Sequence, residues 1–179
     1  MEALYATLDK REYECDARLD LLSLVGFSFL AFAIPFLFPH PQAVTGVLVN
    51  AFLVVAALSM KGRSVLPVIL LPSVGALANG LLFGPLTIFL VYLIPFIWIG
   101  NFLLVFGIKR LAHEGGLGYW ASGIASSVVK AAAIFLPAYG LHLAGLLPEA
   151  LLVPMGVLQA GTALAGVAIV GVGKKLLGF

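Results

Sequence analysis

One residue of this chain carries a full charge where a membrane tolerates it least. Lys130 sits within the apolar run 121–147. At about 1.5 Å of rise per residue it lies about 14 Å from the start of that run, near the middle of a hydrocarbon layer ~30 Å thick. An ammonium there costs about 2.5–3.5 kcal/mol on insertion scales, so it must face protein, water or a ligand. Ser126 and Ser127 lie one helical turn before it and Gly123 two turns before it, which places small and polar groups on its own face and turns that face into a bundle. Two roles are open to such a group. It binds an anionic or strongly polar solute, or relays ions; or it is a structural lysine that snorkels or donates to backbone carbonyls freed in its neighbours.

The other polar groups in apolar surroundings are amides, phenols and imidazoles. Gln159 falls near mid-membrane and is the expected hydrogen-bond partner of Lys130. Asn50 shares a helix face with Gly46, and an amide unsatisfied in hydrocarbon costs several kcal/mol, so interhelical bonding is its first expected role and ligand contact its second. Asn79, Tyr92, Tyr139 and His142 fall toward the outer ends of their runs, at a height that suits a pocket loaded from outside, while Pro39 and Pro41 hold His40 and Gln42 at its mouth. Trp98 and Asn101 lie deeper, where packing is expected. The candidate substrate-binding set is therefore Lys130, Gln159, Asn79, Tyr92, Tyr139, His142, His40, Gln42 and Asn50.

Catalysis is not expected. The sequence has no Walker A, GxSxG or HExxH pattern and no pair of intramembrane acids, and Glu149 is the only acid expected on the outer side. The histidines His40, His113 and His142 are scattered without ligand spacing, so neither a metal nor a cofactor is expected. The single cysteine, Cys15, excludes an intrachain disulfide and reads as a spectator.

These residues are positioned by a strongly apolar chain. Of its 179 residues 62% are hydrophobic and only 10% charged, against about a quarter charged in soluble domains, and this predicts an all-α integral membrane protein. Hydropathy predicts six transmembrane helices, near 20–38, 43–60, 65–83, 86–108, 121–147 and 151–173, with 20–179 as the membrane domain and 1–19 as a lead-in. Leu4, Leu8 and Cys15 recur near helical spacing in that lead-in, which predicts a short amphipathic helix on the cytoplasmic face. Lys10, Arg11 and Arg18, then Lys61 and Arg63, Lys109 and Arg110, and Lys174 and Lys175 all fall on one side of such a bundle. By the positive-inside rule that side, with both termini, is cytoplasmic. The opposite connections hold prolines and no basic residue. The lipid bilayer is the expected surrounding, and no nucleic-acid partner is expected.

Four stretches together resemble a known family: 38–51, with Pro39-His40-Pro41-Gln42 leading into Gly46 and Asn50; Leu71-Pro72-Ser73 with Gly80-Leu81-Leu82; Ile94-Pro95-Phe96-Ile97-Trp98-Ile99-Gly100-Asn101; and Ser126-Ser127 with Lys130. The chain resembles, from 38 to about 134, the substrate-binding S components of energy-coupling factor (ECF) transporters, in a poorly characterised branch. The resemblance implies an S-component-like capsule of six helices that takes a vitamin, a precursor or a metal ion from outside. It would then dock on a transmembrane coupling subunit driven by two ATPase subunits. Family pockets use the outer loops and the outer halves of helices four to six, to which Tyr92, Tyr139 and His142 and, deeper, Lys130 and Gln159 correspond. The family's AxxxA docking pattern is not found on the first helix, and its N-terminal Met-His metal arm is missing, so metal uptake is not expected. The resulting expectation is a capture component for a small polar or anionic micronutrient in a bacterial or archaeal cytoplasmic membrane. The alternative is a structural or assembly subunit of a larger membrane complex.

Overall fold

The computed structural model of the chain describes residues 2–12 and 16–177. Cys15 lies outside them, and with it part of the expected lead-in helix. Among the described residues all regular structure is helical, and six helices are long and apolar enough to cross a membrane. Helix α1 (Glu2–Leu8) is short, and α2 (Ala17–Leu37) is the first span. The carboxylate of Asp16 accepts from the backbone N–H of Leu19 and caps α2. Helices α3 (Gln42–Ser59), α4 (Val65–Asn79), α5 (Leu90–His113) and α6 (Tyr119–Leu143) follow. The last span comes in two pieces, α7 (Leu152–Met155) and α8 (Val157–Leu177).

The helix bounds depart from the hydropathy reading in several places, α5 among them, which runs Leu90–His113 instead of 86–108, and three departures have a local backbone reason. Helix α4 stops at Asn79 instead of 83 because Gly80 takes a left-handed conformation, φ 77°, and its N–H closes the helix on the Ala76 carbonyl. Helix α6 stops at Leu143, followed by Gly145 at φ 74°, so the apolar residues up to Leu147 form a turn. The sixth run is interrupted at Gly156, whose φ of −108° and ψ of −92° lie outside helical values. Hydropathy sees the apolar side chains in all three places and is blind to the backbone.

The six spans close into a ring in the order α2, α4, α5, α6, α8, α3, and α3 leans inward to reach α4 and α5 as well. The most extensive pairings are α5 with α6, α2 with α4 and α3 with α8. They are close because small residues meet backbone: a Cβ on Gly166 would stand 2.8 Å from the Ala51 nitrogen and 2.9 Å from the Asn50 carbonyl carbon. The outward faces carry large apolar side chains, including Phe29, Leu136 and Val157 at 66%, 65% and 78% exposure, as lipid contact requires.

Two apolar cores fill the ring. One packs Leu53, Val54, Val68, Leu104, Ile108 and Val167, and the other packs Leu93, Ile134, Ala138, Leu151 and Met155. Charges gather at one end. There Lys174 bonds Glu12 at 2.6 Å, Arg11 bonds Asp20 at 2.5 Å and Lys10 pairs with Glu114 at 3.1 Å, so both ends of the described chain lie together. Lys109 departs from the loop position expected of it. It is fully buried, and its Nζ donates to the carbonyls of Met60, at 2.6 Å, and Lys10. Pro39, Pro41, Pro85 and Pro148 occupy the turns of the opposite end, called here the proline end.

Candidate functional site

Between the two apolar cores lies a polar layer built from the midpoints of three helices. Asn50 stands near the middle of α3, Asn101 near the middle of α5 and Lys130 near the middle of α6. Helices of similar length that cross one slab side by side bring their midpoints to one depth. All three side chains are buried, Lys130 at 1% exposure. The Lys130 Nζ donates to Asn50 Oδ1 at 2.5 Å and to Asn101 Oδ1 at 2.7 Å.

The amides are held with their oxygens toward the ammonium. Asn50 Nδ2 donates to the Gly46 carbonyl at 2.9 Å and to Thr162 Oγ1 at 3.1 Å, and Thr162 in turn donates to the Leu158 carbonyl at 2.7 Å. Asn101 Nδ2 donates to the Ile69 carbonyl at 2.9 Å. Pro72 lacks the N–H that would bond the Val68 carbonyl in the ladder of α4, and the next two carbonyls of that turn also take side-chain donors. Ile69 is one; Leu70 is another, accepting from Trp98 Nε1 and Ser73 Oγ at 3.0 Å each. The network thus joins five of the six spans. Among the described residues no carboxylate pairs with Lys130, so any charge on its Nζ is solvated by neutral oxygens and not neutralised.

Above this floor a narrow cavity of about 90 Å³ runs toward the proline end. Lys130, Asn50, Asn101, Thr162 and Ser73 lie at its base; Val49, Ala76, Ile97, Leu158 and Met155 line it higher; Gln42, Leu82, Phe83 and Leu90 stand near its top. Eight residues of α3 separate Gln42 from Asn50, a depth of about 12 Å. Its volume is far below the about 300–1,000 Å³ of pockets that enclose drug-sized ligands.

Of the nine residues singled out in the sequence, four line this cavity: Lys130, Asn50, Gln159 and Gln42. Gln159 is not the hydrogen-bond partner expected for Lys130, because the two asparagines already occupy that position and Thr162, one turn further along α8, carries the network onward. Three others brace the proline end. His40 Nε2 lies 2.9 Å from the Leu81 carbonyl, and Asn79 donates to the Phe36 carbonyl at 2.6 Å and accepts from the Leu81 N–H at 3.0 Å. His142 Nδ1 lies 2.9 Å from the Leu147 carbonyl. Gln42 does both, since its Nε2 donates to the Leu82 carbonyl at 2.5 Å. Tyr92 and Tyr139 are 51% and 45% exposed and do not line the cavity.

Asn101, for which packing was expected, and Thr162 and Ser73, which were not singled out as site residues, complete the site. The available signal was depth, because an amide at the midpoint of a spanning helix needs a partner at that height, and Lys130 is the charge found there. No family model, no curated protein and no solved structure matches the chain.

Proposed function

We propose that this chain is the substrate-capture component of an ECF-type membrane transporter, binding a small polar or anionic micronutrient at Lys130. The observation that carries this reading is the buried Lys130 nitrogen, held in place by two neutral amides and lining a cavity that leads to the proline end; in this reading it is protonated. A cation without a counter-charge in low dielectric is a strong attractor of one negative charge. In this reading the charged end with both termini is cytoplasmic, by the positive-inside rule, and the proline end faces outside. A coupling subunit and two ATPases supply the energy, and no bond is made or broken.

The test is native mass spectrometry of the gently purified protein beside Lys130→Met. The wild type is expected to carry a small anion and the variant at least tenfold less of it, with coupling and ATPase subunits copurifying from the native membrane. Equal occupancy of the two proteins, or a wild type with no bound small molecule, overturns the reading.

One observation favours a second reading. Both acceptors that Lys130 bonds are already protein atoms and the cavity is small, as suits a lysine that glues helices together in an assembly subunit. Stable capture by a membrane complex lacking ATPases would select that reading.

A further inference from the structure

We infer that the cavity above Lys130 takes a short linear monocarboxylate, head down, with its carboxylate on the ammonium and its hydrocarbon toward the proline end. The inference rests on the capture reading and narrows it to one class of solute.

Charge comes first. Among the described residues lining the cavity Lys130 is the only charged one, and the oxygens that hold it are neutral. One negative charge completes the site. A second would be buried without a partner, at a cost of several kcal/mol, and a cationic solute would meet like charge with no acid to offset it.

The state of the hydrogen-bonding groups then constrains the solute's body. The Thr162 hydroxyl donates to the Leu158 carbonyl and accepts from Asn50. The Ser73 hydroxyl donates to the Leu70 carbonyl and accepts from Trp98 at 2.7 Å. The Thr45 hydroxyl donates to the Phe38 carbonyl at 2.6 Å, and both N–H groups of Asn50 are engaged. A sugar or polyol would find these groups already occupied. What remains at the base is the third N–H of Lys130 and the second N–H of Asn101 Nδ2, with the Gln159 amide, which makes no side-chain hydrogen bond among the described residues, on the wall. Those donors suit one carboxylate.

Shape agrees with chemistry. Above the base the wall is largely aliphatic, with Val49, Ile97, Leu158 and Met155, and Phe83 is its one aromatic member, so no pair of rings is present to sandwich a planar heterocycle. A space about 12 Å deep with a volume of only about 90 Å³ fits a slender chain.

The test is isothermal titration calorimetry of the full chain in lipid nanodiscs, with empty nanodiscs as blank, using acetate, propionate, butyrate and valerate, then butyramide, butylammonium, succinate and nitrate. Affinity is expected to rise about fourfold per methylene along the monocarboxylates. Butyramide, butylammonium and succinate are expected to bind at least tenfold more weakly than butyrate, and Lys130→Met to lose butyrate binding at least tenfold. The length series uses wild-type protein alone, so a variant that fails to fold leaves the test standing. A flat series, or nitrate or succinate bound as tightly as butyrate, overturns the monocarboxylate while Lys130-dependent anion capture survives. Absence of any anion binding overturns both.

Discussion

Lys130 keeps its place by hydrogen bonds to neutral groups, and the magnitudes show why it needs two. A hydrogen bond to a charged group contributes about 1.5–3 kcal/mol, and a lysine at mid-membrane costs about 2.5–3.5 kcal/mol. One amide leaves the balance near zero or against the fold, whereas Asn50 and Asn101 together offset the cost. It follows that Asn101→Leu is expected to destabilise the protein by about 1.5–3 kcal/mol, more than Lys130→Met, which removes the charge along with its bonds. The double variant is expected to be more stable than the sum of the single effects, with a coupling energy of about 0.5–3 kcal/mol. Unfolding titrations in mixed micelles measure all three. Additive effects, or a Lys130→Met variant worse than Asn101→Leu, would remove the asparagines from the role given to them.

At the scale of helices, the site depends on how closely α3 and α8 approach. Gly166 faces the backbone of α3 at Asn50 and Ala51, so a side chain there must push away the helix that carries one of the two ligands of Lys130. Gly166→Val is expected to cost about 1–3 kcal/mol through overpacking and, on the proposed function, to weaken anion binding as well. Gly161→Ala on the same helix, where nothing lies within 4 Å of an added Cβ, is the control and is expected to leave both unchanged. Equal behaviour of the two in thermal unfolding and binding would mean that the α3–α8 contact does not set the site. The same scale divides what could be read from the chain itself. Six helices were legible because each run is long and apolar enough to announce a span by composition. The inward turn of Ser126, Ser127 and Lys130 was legible because a charge flanked by small residues has one acceptable direction; all three are buried. The outward turn of Tyr92 and Tyr139 was not, since spans apolar all round carry no periodicity to orient them. Nor was the Lys130–Asn101 pair. It depends on which helices are neighbours, and the ring order places α5 beside α6 and α3 within reach of both α5 and α8, an arrangement that no local pattern encodes.

For the molecule as a whole, the two ends are tied by different means. Side-chain bonds to backbone carbonyls stitch the proline end, through His40, Gln42 and Asn79, and these have no acidic component. The opposite end is tied by charge, because the N-terminal segment lies across it: Thr7 and Leu8 are buried, the Glu12 N–H donates to the Leu58 carbonyl at 2.7 Å, and Glu114 accepts from Thr7 Oγ1 at 2.8 Å while pairing with Lys10. The hydrogen bond from Thr7, then that from Lys10, hold the Glu114 carboxyl below its ordinary value of 4.5. A carboxylate whose pKa is depressed by folding contributes stability that is fully present above its unfolded value and is lost as pH falls through the folded one. The attachment of α1 is therefore expected to be intact at neutral pH and to loosen below about pH 4.5. The proline end should show no matching change. Hydrogen exchange at the amides of Asp9 and Lys10, which bond the carbonyls of Tyr5 and Thr7, reads the effect locally, and Glu114→Gln is expected to flatten its pH dependence while leaving the exchange at Gly80 and Leu86 unaltered. Unchanged protection of Asp9 and Lys10 down to pH 3 would show that the segment is held by its buried Leu8 and the buried Lys109 beneath it and not by a carboxylate, and the same acid loosening in Glu114→Gln would pass the role to the Glu12 or Asp20 carboxylate of that end.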